Sequence, residues 1–202
     1  MFMYRSAESL YGVGNSFLLG LYASPVLVGY FGASEKISKA AAGLVNPIRE
    51  SLYPRVSNLA HRDPKEAFRL ARIGTWLMVG AGLLLSLGLF LFAQMIIPVL
   101  MGRSFEPAVT VLRILSPLPL LLAITFSSGQ LWLLPQRKDK TVSHIVFRAA
   151  FLNLFLSFYL GRKWGHIGMA STVLIAESVV AGSMLWNTLR LRGREQVQQA
   201  AA

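Results

Sequence analysis

The chain has 202 residues, is 54% hydrophobic and only 14% charged, and carries a formal charge of +11. These values suit a multi-spanning membrane protein better than a soluble domain. With no cysteine there is neither a disulfide framework nor a thiolate metal site.

The basic residues fall between apolar runs rather than on one polar surface, so the charge points to membrane topology and not to nucleic acid. At about 20 residues per span plus connections, the length allows six helices. The opening residues lack the basic, apolar and small-residue order of a signal peptide. The expected fold is an all-α integral membrane protein, a six-transmembrane-helix bundle.

The first predicted span runs over 6–23. Gly12, Gly14, Ser16 and Gly20 suit close helix packing in lipid, and Glu8 and Asn15 are its polar members. The second, over 25–53, is the stretch around which the rest is organised. From Pro25 to Pro54 a helix at about 1.5 Å per residue reaches about 43 Å, more than the roughly 30 Å hydrocarbon core. Glu35, Lys36 and Lys39 then fall near the midplane, where an ionisable group costs at least about 2.5 kcal/mol and usually faces a cavity or a partner.

Helical periodicity places Glu35, Ser38, Lys39, Ala42, Asn46, Arg49, Glu50 and Tyr53 on one face, and Ile37, Ala40, Ala41, Leu44, Ile48 and Leu52 on the other. Lys36 lies on the flank. Pro47 removes the hydrogen bond to the Gly43 carbonyl and bends the helix, which ends at Tyr53-Pro54. The polar face lines a water-filled cavity, or else Glu35 and Lys39, spaced i,i+4, simply neutralise each other.

A basic connection follows, with Arg55, Arg62, Lys65, Arg69 and Arg72. Asp63-Pro64-Lys65-Glu66 is a helix start: Asp63 can cap, proline suits the first position, and Glu66 resembles the far side of a capping box. The third span, 73–101, is free of charge and carries a small-residue pair at Gly82 and Ser86. The fourth, 107–134, contains Pro117 and Pro119, which break its ladder. Thr125, Ser127, Ser128 and Gln130 could satisfy local backbone or line a pore.

After a second basic loop, Gln136 to Lys140, the fifth span covers 141–160 with His144, Arg148 and Asn153. A tight turn, Gly161 to Gly165, leads to the sixth, 167–189, with Glu177 near its middle. The tail 190–202 is basic. One set of connections thus holds Arg5, the 55–72 cluster, Arg137, Lys138, Lys140 and the tail, and the other holds Arg103, Arg162 and Lys163. By the positive-inside rule both termini are cytoplasmic.

No enzyme constellation emerges. His61, His144 and His166 fall in different connections or near span ends, and no nucleophile-elbow, zinc-helix or phosphate-loop spacing occurs. No metal or cofactor is expected. Glu35 and Glu177 share a depth, which favours proton or ion handling over hydrolysis. Lys36, Lys39 and Arg148 lie within the membrane on two helices, with Arg49 near the cytoplasmic interface. Together they could form a cationic chamber for a phosphate or pyrophosphate headgroup. Arg49 could instead snorkel to the interface, Arg148 could do the same, and Glu177 could bridge to a neighbouring helix.

Several segments resemble bacterial polysaccharide flippases of the multidrug/oligosaccharidyl-lipid/polysaccharide exporter superfamily. NSFLLGLYASPVLVGYFGASEKI is similar to the family's small-residue span followed by V-G-x-Y-x-A-A-x-K-I. Asn46-Pro47 and Leu52-Tyr53-Pro54-Arg55-Val56-Ser57 resemble its long helix ending in proline and serine. FLNLFLSFYLGRKWGHIGMAS resembles its late pair of spans, with Asn153 and the turn at Gly165, Gly168 and Ala170.

The resemblance is to the C-terminal bundle of a family with about twelve to fourteen spans, so the chain looks like half of such a transporter. It implies alternating-access flipping of undecaprenyl-pyrophosphate-linked oligosaccharide in the bacterial inner membrane, with the sugar between two bundles. The partners implied are the lipid bilayer, the lipid-linked oligosaccharide and a second six-helix bundle, either another half or a second copy. The cavity residues would be Glu35, Lys36, Lys39, Asn46, Arg49, Arg148 and Glu177. The alternatives are a drug/cation antiporter of the same superfamily using Glu35 and Glu177, a membrane-embedded glycan or acyl transferase, and a non-transporting fragment or assembly subunit.

Overall fold

The structure, a computed structural model, describes residues 14–200, with side chains through 191. Residues 14–20 are helical. They are followed by α1 (Pro25–Gly43), α2 (Asn46–Arg62), α3 (Pro64–Met101), α4 (Ala108–Leu115), α5 (Leu118–Phe126), α6 (Asp139–Leu156) and α7 (Arg162–Ala200). Helices α5 and α6 run on into wider π-helical segments, Ser127–Leu133 and Ser157–Gly161. Among the described residues there is no strand. The start of the first predicted span, with Glu8, lies outside the described residues, as does Arg5.

Three stretches are long and apolar enough to cross a membrane: Pro64–Met101, Ala108–Leu133 and Asp139–Leu191. The last cannot be one straight rod, because at about 1.5 Å per residue it would reach about 80 Å. It reverses at Gly165, whose φ of 55° and ψ of −130° are not helical. Val142 and Ala149 of α6 then pack with Val180 and Met184 of α7, and the two arms run back alongside each other. Gly168 sits so close to Leu160 that a Cβ there would collide with the Leu160 carbonyl. Helix α1 does not join the three, because Glu35, Lys36 and Lys39 interrupt its apolar run.

The organising stretch divides into two helices just before Pro47, through one tightened turn. The Leu44 and Val45 amides turn back to the Ala41 and Ala42 carbonyls, both at 3.1 Å, which ends α1. The chain restarts as α2 with Pro47 in its first turn, where the missing N–H costs nothing. Pro54, expected as a terminator, lies inside α2, which continues to Arg62. It sits on the exposed side with Glu50, Ser51 and Arg55, so its missing bond opens the ladder outward and not into packed core. Asp63 caps α3 as expected, accepting from the Lys65 and Glu66 amides at 3.1 and 3.1 Å.

Pro117 and Pro119 divide the fourth span into α4 and α5, and three hydroxyls repair the break. Pro117 has no N–H for the Arg113 carbonyl, and Ser116 Oγ donates to that oxygen at 2.8 Å. Pro119 has none for the Leu115 carbonyl, and Ser38 Oγ of α1 donates there at 3.1 Å. The Leu120 amide donates to Ser86 Oγ of α3 at 3.1 Å. An unpaired buried backbone group costs about 1–3 kcal/mol, so these serines hold α1 and α3 against the kink as well as satisfying it. Ser34 Oγ adds a bond to the Ala108 carbonyl at 3.0 Å, a second tie between α1 and α4.

The outer face of α3 is apolar and exposed, with Trp76, Leu84, Leu91, Met95 and Val99 along it. Such a face suits lipid contact.

The connections sort into two ends. Tyr30 stacks edge-on against Phe105 and His166, and Tyr22 Oη donates to the Ser157 carbonyl at 2.8 Å, so the 21–24, 102–107 and 161–166 connections share one end. His61, Pro64, Gln136 and Arg137 line a common recess at the other.

Candidate functional site

A cavity of about 330 Å³ opens between α1, α2, α5, α6 and α7. Its polar lining is Lys39, Asn46, Arg49, Thr125 and Glu177, set among Leu122, Phe126, Val146, Ala149, Val173 and Val180. Leu44 and Val45 keep right-handed helical dihedrals, so Lys39, Ala42, Asn46 and Arg49 stay on one face across the break between α1 and α2.

Lys39 is the junction between the cavity and the core. Its side chain is 40% exposed, and its Nζ donates to Glu35 Oε1 at 2.8 Å, while the Glu35 side chain is only 6% exposed. The i,i+4 spacing along α1 brings the two together, and the carboxylate lies behind the lysine rather than in the cavity wall. Asn15 reaches toward the same carboxylate, though its Nδ2 makes no hydrogen bond of ordinary geometry.

Arg49 lies over the Phe126 ring, its guanidinium carbon 4.5 Å from the centroid, and reaches Glu50 at 3.9 Å. Glu50 is largely exposed, so that pair adds little. The aromatic face holds the arginine at the cavity rather than in a free interfacial pose.

Of the seven side chains expected in a polar chamber, Lys39, Asn46, Arg49 and Glu177 line one cavity, and Glu35 supports it from behind. Lys36 and Arg148 are exposed and lie outside that lining. For Arg148 the reason is rotational: Ala149 and Ala150 turn toward the cavity, which directs their neighbour away from it. Thr125 Oγ1 is buried without a hydrogen-bond partner and belongs to the wall. The sequence did not indicate Phe126 as the seat for Arg49, since nothing in its spacing ties it to a residue on another helix. Among the described residues no group of three histidine or acidic side chains could hold a metal.

A lysine and an arginine thus converge on a space whose other walls are apolar except for Asn46, Thr125 and the Glu177 carboxylate.

Two curated proteins are similar to this chain. One, named "Putative O-antigen transporter", from Escherichia coli (strain K12), is 34% identical over 185 residues, covering 92% of this chain and 45% of that protein. The other carries the same name, from Shigella dysenteriae, and is 29% identical over 184 residues, covering 91% of this chain and 46% of that protein. The chain therefore spans about half the length of the curated relatives it matches. No family model matches, and no solved structure does. The similarity to these two proteins runs over nearly the whole chain.

Proposed function

We propose that this chain forms one six-helix bundle of a transporter that moves lipid-linked oligosaccharide across the bacterial inner membrane for surface polysaccharide synthesis. The cavity carries the reading. Lys39 and Arg49 face a space whose other walls are largely apolar, which matches a pyrophosphate headgroup on a polyprenyl chain. Asn46, Thr125 and Glu177 supply hydrogen-bonding groups for sugar hydroxyls. At about 330 Å³ the space is near the lower limit for a ligand pocket and too small for a whole lipid-linked sugar, so a second bundle would complete it. Lys36 and Arg148 would then contribute only where that second bundle encloses them.

In this reading the end bearing His61, Arg62, Lys65, Arg137 and Lys138 is cytoplasmic, as are both termini. The clustering of those connections at one end supports it. The antiporter reading would use Glu35 and Glu177: Glu35 is engaged by Lys39 at 2.8 Å, which leaves Glu177 as its carboxylate in the cavity lining.

The test is a chimera in which this chain replaces the matching segment of the Escherichia coli relative, expressed in a strain that lacks its own surface-polysaccharide flippase. Restored surface polysaccharide is expected. A chimera that inserts at normal levels yet leaves lipid-linked precursor on the inner leaflet contradicts the proposal.

A further inference from the structure

A second cavity, about 290 Å³, lies far from Lys39 at the basic end of the bundle, between α2, the start of α3 and the π-helical segment Ser127–Leu133. Its depth is apolar, walled by Val56, Phe68, Leu131 and Trp132, and its mouth carries His61 and Arg137. Trp132 is fixed in that wall. Its Nε1 donates to Thr75 Oγ1 at 2.9 Å and its ring meets Phe68 edge-on at 5.1 Å.

Arg137 has an unusual backbone. The Lys138 amide bonds to the Leu133 carbonyl at 3.1 Å and the Arg137 amide to the Leu134 carbonyl at 2.9 Å, the paired bonds of a Schellman helix end. That motif places the residue before its last in the left-handed region, where glycine is usual, and here Arg137 occupies it with φ of 56°. An arginine at such a position directs a cation over the cavity mouth at a backbone cost of about 1 kcal/mol. Arg62 and Lys138 adjoin the mouth residues in sequence, and Lys65 adjoins Pro64 of the lining. Of the nearby acids, Asp63 already accepts from two backbone amides as the α3 cap. Glu66 and Asp139 leave the local balance basic.

We propose that this recess binds one molecule of anionic phospholipid from the surrounding bilayer. An acyl segment lies against Trp132, Phe68 and Leu131, and the phosphate rests on Arg137 and His61. An apolar slot opening under a cationic rim at the membrane surface favours that chemistry over a zwitterionic lipid, whose choline offsets the charge of its own phosphate. The site is independent of what the central cavity carries.

Trp132 provides the probe. Trp76, Trp164 and Trp186 are all exposed, so replacing them with phenylalanine spares the core and leaves Trp132, at 4% exposure, as the sole tryptophan. The full chain is reconstituted in phosphatidylcholine vesicles and titrated with brominated phosphatidylglycerol or brominated phosphatidylcholine. Bromine quenches tryptophan only at contact.

Quenching by the phosphatidylglycerol should half-saturate at about a tenfold lower mole fraction, the scale of one charge-assisted hydrogen bond. Arg137→Gln should abolish that preference and Arg137→Lys should keep most of it. Ala60→Phe, at a half-buried lining position, should block quenching by both lipids. Inorganic phosphate at millimolar concentration should displace neither. Equal curves for the two lipids overturn the proposal. Displacement by inorganic phosphate also overturns it, since that outcome means an anion site with no acyl component.

Discussion

The crossing of α3 and α5 turns on Gly82, and its removal is the most quantitative prediction. A Cβ built there would lie 2.8 Å from Ala123 Cβ, 2.9 Å from the Pro119 carbonyl oxygen and 3.1 Å from Leu120 Cα. Two of these are backbone atoms and the third is a fixed methyl, so the helices themselves must separate by several tenths of an ångström. Overpacking of this kind costs about 1–3 kcal/mol. The separation also stretches the bond from the Leu120 amide to Ser86 Oγ, now 3.1 Å, worth about 1 kcal/mol net. Against this, Gly→Ala in a helix gains about 1 kcal/mol.

Gly82→Ala should therefore destabilise by about 1–3 kcal/mol. Gly80→Ala and Gly88→Ala, on the same helix with nothing within 4 Å of their Cβ positions, should be neutral or stabilising. The assay is unfolding of the purified chain in mixed micelles with rising SDS fraction, followed by helicity. Equal midpoints for the Gly82 and Gly80 variants would refute the close crossing.

The hairpin of α6 and α7 depends on Gly168 in the same way, but more severely: the clash is with a backbone carbonyl across a tight reversal, so Gly168→Ala should yield little folded protein by size-exclusion chromatography in detergent. The cysteine-free background makes topology directly readable. Single cysteines at positions 61, 104, 138 and 164 should label from outside only at 104 and 164, and external labelling at 61 or 138 would sink the proposed orientation.

Much of this fold is legible from composition and spacing. The charge-free run 73–102 marks α3, the small pair Gly82 and Ser86 marks its contact face, and Gly161, Gly165 and Gly168 mark the hairpin turn. These are local signals, and the structure uses each where it stands. Two of the three bonds that repair the proline break were not legible, because their partners come from elsewhere: Ser38, the donor to the Leu115 carbonyl, lies 77 positions away, and Ser86, the acceptor for the Leu120 amide, lies 34 away. No periodicity encodes such a pairing.

The two prolines of the organising stretch show the same limit. Both remove one hydrogen bond, yet Pro47 coincides with a helix break and Pro54 is absorbed, and the difference lies in what surrounds each. For the candidate site, the rotation of α1 and α2 was readable from periodicity, which put Lys39, Ala42, Asn46 and Arg49 on one face and Lys36 on the flank, and those four line the cavity. The rotation of α6 was not, and Arg148 was grouped with the lysines by its expected depth alone. The packing of Ser34 and Ser38 on α4 and of Ala149 on α7 then fixed which of them faces the cavity.

The central claim is that Lys39 serves the cargo and not only its neighbour Glu35. It is tested most directly by surface-polysaccharide export in the chimera, comparing Lys39→Ala, Lys39→Arg and the double substitution Glu35→Gln/Lys39→Gln. Removing Lys39 alone strands a buried carboxylate, which costs about 3–5 kcal/mol where no other cation replaces it. The single variant is therefore expected to fail on either account. The double variant leaves no unpaired charge and should insert normally. The account predicts that it exports little or nothing, while Lys39→Arg retains part of the activity because the charge survives with altered geometry. Near-normal export by the double variant, with Lys39→Ala inactive, would contradict the account and reduce the pair to an internal counter-ion.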